Sequence, residues 1–136
     1  MRITVIDGQG GMLGAQLVKA IKASIENADI TAVGTNAVAT QAMLKAGANA
    51  GATGENPVIV AARRSDVIIG PIGIVITDSL LGEITADMAA AIGRSEAVRI
   101  LIPMNKCDNI VAGVTDCSTS ALIDDVIRRL KDLTKQ

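Results

Sequence analysis

Few side chains in this sequence can carry chemistry, and the densest group of them is Asn105-Lys106-Cys107-Asp108, just behind an apolar run that ends at Ile102. Lys106 is of the type that holds a phosphate, and Cys107 of the type that attacks as a nucleophile. The chain has no histidine, so the usual partner that lowers a thiol pKa is missing, and a plain thiol is the simpler reading of Cys107. The same absence excludes a Ser-His-Asp triad and the His-containing zinc sites. Any general base must be Asp, Glu, Lys or Cys, and no catalytic residue or metal site is named by the pattern. Cys107 and Cys117 match no metal or redox spacing, and both are expected as reduced thiols in a cytoplasmic protein.

A second candidate is built from backbone. In Arg2-Ile-Thr-Val-Ile-Asp-Gly-Gln-Gly-Gly-Met-Leu-Gly14 a β-branched apolar run stops in glycines and continues as a helical pattern. Asp7, Gly8, Gln9, Gly10, Gly11 and Gly14 thus form a strand-to-helix corner. Such a corner permits a tight turn, a close approach of a phosphate to the backbone, and free N–H groups at a helix N-terminus. It can equally serve only to pack helix on sheet. The spacing is Gly8-x-Gly10-x-x-x-Gly14, with Leu13 where a dinucleotide fingerprint has its third glycine. Asp7 is suited either to hold the turn by accepting N–H bonds or to face a ligand or magnesium ion.

Gly34, Thr35 and Asn36 end the next apolar run, at the place where an NAD-binding unit puts an acid for the ribose. No acid stands there. Thr35 and Asn36 can bond a ribose, an adenine edge or a 2′-phosphate; Asn36 can also simply cap the next helix. Gly70 and Pro71, in Gly70-Pro71-Ile72-Gly73, offer an open backbone to the same crevice or a plain strand-to-helix loop. Glu55 and Glu83 read as helix-terminal charges.

These residues need elements to position them. Strands are expected at about 2–7, 28–33, 66–70 and 98–102, with a short one possible within 46–54. A last strand at Ile110–Val114 would pair antiparallel at an edge. Helices are expected at about 11–25, where Leu13, Leu17, Ile21 and Ile25 share a face, and at 37–45. A third starts near Glu55-Asn56-Pro57. One or two more lie within 71–93, broken near Gly82 with Thr85 as an N-cap, and the last covers about 119–134 with Asp124 and Asp125 four residues ahead of Arg128 and Arg129. The result is an α/β, Rossmann-like three-layer sandwich spanning residues 1–136 as one domain, with a mostly parallel sheet of five to six strands and helices on both faces.

Composition narrows the partners. With 13 basic and 14 acidic residues intermixed, and no Phe, Tyr or Trp, there is neither a basic footprint nor a stacking platform for nucleic acid. The apolar run Val67–Thr77 is far short of a membrane span and is interrupted by Gly70-Pro71 and Gly73. No basic, apolar leader opens the chain, so a cytoplasmic protein is expected. A hydrophobic content of 49% without aromatics and a mean hydropathy of +0.42 predict a homodimer or higher homo-oligomer.

Ile6-Asp-Gly-Gln-Gly-Gly11, Gly34-Thr-Asn-Ala37, Ala42-Met-Leu-Lys-Ala-Gly47, Gly51-Ala-Thr-Gly-Glu-Asn56, Ile68-Ile-Gly-Pro-Ile-Gly-Ile74 and Leu81-Gly-Glu-Ile-Thr85 together resemble the bacterial family catalogued as domain of unknown function 3842. The resemblance covers nearly the whole chain and implies a small Rossmann-like protein, but it brings no activity with it. From the residues, the expected function is binding of a nucleotide or other phosphorylated small molecule above Gly8–Gly14, with NADP or another nucleotide as the foremost cofactor. The alternative is a non-catalytic sensing or scaffold protein that acts by self-association.

Overall fold

The structure, a computed structural model, describes residues 1–104 and 108–135. Asn105, Lys106 and Cys107 lie outside the described residues, and so does the chemistry expected of them.

Five strands, β1 (Arg2–Asp7), β2 (Asp29–Gly34), β3 (Ala50–Thr53), β4 (Val67–Pro71) and β5 (Val98–Ile102), form one sheet in the order β3-β2-β1-β4-β5, and every pairing is parallel. Because helices cover both faces, alternate residues of one strand enter two different cores. Ile3 and Val5 join Ile30, Ala32, Val67 and Ile69 on one face; Ile6, Val33 and Ile68 lie on the other.

The first face is covered by α1 (Met12–Ser24), α2 (Ala37–Lys45) and α5 (Thr119–Thr134). Leu13, Leu17 and Ile21 form the buried stripe of α1 with the expected spacing. The opposite face is covered by α3 (Glu55–Arg64), α4 (Ala86–Arg94) and a 3₁₀ turn at Ile72–Val75. Thr85 caps α4, its hydroxyl accepting the Met88 N–H at 3.1 Å.

Two expectations are corrected. Residues 110–114 form no strand, and among the described residues the sheet has five strands with no antiparallel edge. Gly113 takes a left-handed φ of +82°, which breaks the extended run, and Ile110 is 94% exposed instead of being seated against β5. On α5 the expected pair of Asp125 with Arg129 forms, but Arg128 pairs with Asp125 three residues before it and not with Asp124.

Candidate functional site

The parallel register sets Asp7 beside Gly34, so the corner after β1 and the loop after β2 meet at the carboxyl ends of adjacent strands. A backbone bond from Thr35 N–H to the Asp7 carbonyl, 3.0 Å, ties the two loops together. Of the two roles open to Asp7, both carboxylate oxygens perform the structural one. One accepts the Gly8 N–H at 2.8 Å and the other the Gly14 N–H at 2.7 Å, in a side chain only 5% exposed. Burial raises the Asp7 pKa above its usual 3.8, the two N–H bonds offset part of that rise, and the charge of Glu83 adds to it. Among the described residues no group of three His, Cys, Asp or Glu side chains is placed to hold a metal ion.

The glycines of the corner do different jobs. A Cβ on Gly8 would fall 2.6 Å from the Thr35 hydroxyl and 3.0 Å from a Glu83 oxygen, and one on Gly14 would meet Met43 and Asp7. Gly11 has φ +73° and rests against the backbone of Ala39 in α2. Gly34 is packed on Thr40, and Gly70 on the Ile6 carbonyl inside the sheet. Packing therefore accounts for all of these. Gly10 is the exception: a Cβ there would meet nothing nearer than Met12 at 4.0 Å, and its φ needs no glycine.

Gly11 is the N-cap of α1 and supplies no side-chain cap. The N–H groups of Gly10, Met12 and Leu13 consequently have no acceptor among the described residues. Gly70 and Pro71 are buried in β4, paired with Leu101 and Ile102 of β5, and expose no backbone to the crevice. A cleft of about 690 Å³ opens elsewhere, at the amino ends of the strands between Arg2, Arg63, Asp66 and Arg94.

Asn36 performs the capping role expected of it and also bonds across the crevice within the chain. Its Oδ1 accepts the Ala39 N–H at 2.9 Å and caps α2, while its Nδ2 donates to the Gln9 carbonyl at 2.9 Å and to Glu83 at 2.7 Å. That last partner corrects the reading of Glu83 as a helix-terminal charge. Glu83 precedes the α4 cap by two residues and reaches back across the crevice. One of its oxygens accepts the Gln9 N–H at 2.7 Å; the other accepts Thr35 Oγ1–H at 3.0 Å as well as the Asn36 amide. The acid missing after β2 is thus supplied in space from the loop after β4. Gly82 with φ +90° just before it was the one sequence sign of the chain reversal that aims it there. Glu55 does sit in the first turn of α3, where it accepts from the Thr85 hydroxyl.

Partial burial raises the Glu83 carboxyl, but the bonds from Asn36, Gln9 and Thr35 outweigh it and leave the pKa below the usual 4.5. A carboxyl lowered on folding contributes stability that is present above its unfolded pKa and is lost as pH falls through the folded value. The gap in urea midpoint between wild type and Glu83→Gln should therefore be constant from pH 7 down to about 5 and shrink below 4.5. A gap that persisted unchanged at pH 3 would show that the carboxylate charge contributes nothing.

The family described as "Domain of unknown function (DUF3842)" matches residues 2–135. The chain belongs to this family. No curated protein matches this DUF3842 chain. Among solved structures it is similar to a dodecameric FMN-dependent UbiX-like decarboxylase from Escherichia coli O157:H7, at 15% identity and a TM-score of 0.48, over 100% of this chain and 95% of that one. Likeness at that level adds nothing to the strand order and pairings described above. No described helix of the DUF3842 chain is long and apolar enough to cross a membrane.

Proposed function

We propose that the chain binds a phosphate-bearing small molecule, a nucleotide such as NADP foremost, at the corner between β1 and α1. The observation that carries this reading is Gly10. It is the one glycine of the corner with neither a packing neighbour nor a conformational need, and it stands beside the unpaired N–H groups of Met12 and Leu13 at an uncapped helix start. Oriented N–H groups at a helix N-terminus favour an anion. The site lies where β1 is flanked by β2 and β4, the crevice in which open α/β sheets hold their ligands. No residue is assigned a catalytic role. A cytoplasmic location is part of the same proposal.

Calorimetric titration with NADP, NAD, ATP and GTP tests the reading. At least one should bind to wild type, and Gly10→Val, which the backbone accommodates, should abolish that binding while the protein stays folded. Equal affinity in wild type and a folded Gly10→Val protein would reduce the corner to a packing device.

A second reading, self-association, is favoured by β5. It lies at the open edge of the sheet beside a cleft of about 600 Å³, and Val98 and Val114, which line that cleft, are 47% and 40% exposed. Light scattering should report a dimer, and Val98→Lys a monomer. A monomeric wild type at high micromolar concentration would remove this reading.

A further inference from the structure

We infer that the donors gathered around Glu83 form a second anion subsite, filled by the chain's own carboxylate, and that the ligand carries two adjacent anionic groups, one of which displaces Glu83. The inference rests on the reading of Gly10 above and names the ligand class for that site.

Three donors from two loops converge on this one carboxylate: Gln9 N–H, Thr35 Oγ1–H and Asn36 Nδ2–H, at 2.7, 3.0 and 2.7 Å. A backbone amide, a hydroxyl and a side-chain amide aimed at one oxyanion are the donors that also bind phosphate oxygens. Their directions are set independently of Glu83. Asn36 has its Oδ1 committed to the Ala39 N–H, so its amide hydrogens must face the crevice. Thr35 is held by its own N–H on the Asp7 carbonyl. Gly8 keeps the space open, since a Cβ there would lie against the Thr35 hydroxyl and the Glu83 oxygen. The donor set would therefore survive removal of the carboxylate.

The occupant itself is mounted on an unusual piece of backbone. Asp78, Leu80 and Leu81 have φ of +67°, +55° and +56°, a region that side chains with a Cβ rarely adopt. Strain of this kind persists where the surroundings over-determine it, and it clusters at ligand clamps and switches. Leu80 and Ile84, 2% and 0% exposed, anchor the segment on either side. Glu83 lies between two fixed points, so its carboxylate leaves by rotation of the side chain and not by lifting of the loop.

Gln9 and Gly10 are consecutive, and their N–H groups belong to the two subsites. The two anionic groups must then be neighbours on the ligand, as in a diphosphate. In the Glu83 subsite the incoming group replaces one negative charge by another; the second group is met by the N–H groups at the start of α1.

The test is an amide-resolved NMR titration of wild type, Glu83→Ala and Glu83→Ala/Gly10→Val with inorganic phosphate and with pyrophosphate. In wild type, pyrophosphate should shift Gln9 together with Gly10, Met12 and Leu13, and phosphate should shift only the last three. Glu83→Ala should bind inorganic phosphate about ten-fold more tightly than wild type, as expected when an internal competitor for hydrogen-bond donors is removed, with new shifts at Gln9 and at the Asn36 side-chain amide. In the double variant those new shifts should remain while the ones at Met12 and Leu13 vanish. Glu83→Ala binding phosphate no more tightly than wild type, or more tightly without a shift at Gln9, would overturn the inference. Shifts at Gly10, Met12 and Leu13 with no gain in Glu83→Ala would leave the function proposed above standing and this inference refuted; shifts confined to Gln9 and Asn36 would do the reverse. Should Glu83→Ala fail to fold, Glu83→Gln, a neutral and weaker competitor for the same donors, should show a smaller gain in phosphate affinity with the same new shift at Gln9, and no gain would overturn the inference.

Discussion

Asp7→Ala is expected to lose about 2–6 kcal/mol of stability, because it strands the Gly8 and Gly14 N–H groups in a buried corner and each unsatisfied group costs about 1–3 kcal/mol. The loss should be read as a fall in the urea midpoint with an unchanged slope. Asp7→Asn can accept one of the two bonds but sets its own NH₂ against the other, so it should fall between alanine and wild type. The charge has a separate signature. A carboxyl raised on folding contributes stability that is present below its unfolded pKa, usually 3.8, and is lost as pH rises through the folded value. Asp7→Asn should flatten that part of the stability curve. A loss below about 1 kcal/mol in Asp7→Ala would mean that water reaches the corner and satisfies both groups.

The second large effect separates neighbouring glycines. Gly11→Ala should destabilise by about 3 kcal/mol or more, since it puts a Cβ at φ +73° and 2.7 Å from the Ala39 Cα, combining left-handed strain with a clash against helix backbone that cannot rotate away. Gly10→Ala, one position earlier, meets nothing and should leave the midpoint unchanged within about 0.5 kcal/mol. Thermal and urea unfolding of the two variants side by side will decide. If Gly10→Ala were as damaging as Gly11→Ala, Gly10 would have a structural role, and the argument that it is kept bare for a ligand would fall.

Much of the fold was legible because the determinants were local. The i+4 spacing of Leu13, Leu17 and Ile21, the proline in the first turn of α3 and the threonine before α4 each act within a few residues of themselves. The candidate site was legible only as far as the chain neighbours of β1 and β2. Glu83 was misread because its partners Gln9, Thr35 and Asn36 are 47 to 74 positions away and are brought to it by the order of strands, which no local pattern encodes. Gly8 and Gly14 stood out in the sequence as a strand-to-helix corner, yet the neighbours Thr35, Glu83 and Met43 that demand their bareness lie in other segments for the same reason. At residues 110–114 the apolar run looked like a strand, but a strand also needs an available ladder and an extended backbone, and Gly113 denies the second.

The central position of β1 has a consequence for how the chain assembles. Its residues pair with β2 on one side and with β4 on the other, and Arg2 and Asp66, which join at the far end of that second pairing, are 64 residues apart. A nascent chain that has emerged only as far as β3 can zip β1, β2 and β3 together, but it must hold the other edge of β1, with Ile3 and Val5, unpaired in the meantime. During that interval β1 is a sticky border, exposed to whatever strand comes first. Chaperone dependence and yield should therefore respond more to substitutions that delay α3 and β4 than to equally destabilising ones in α5, which packs onto a sheet already closed around its middle strand.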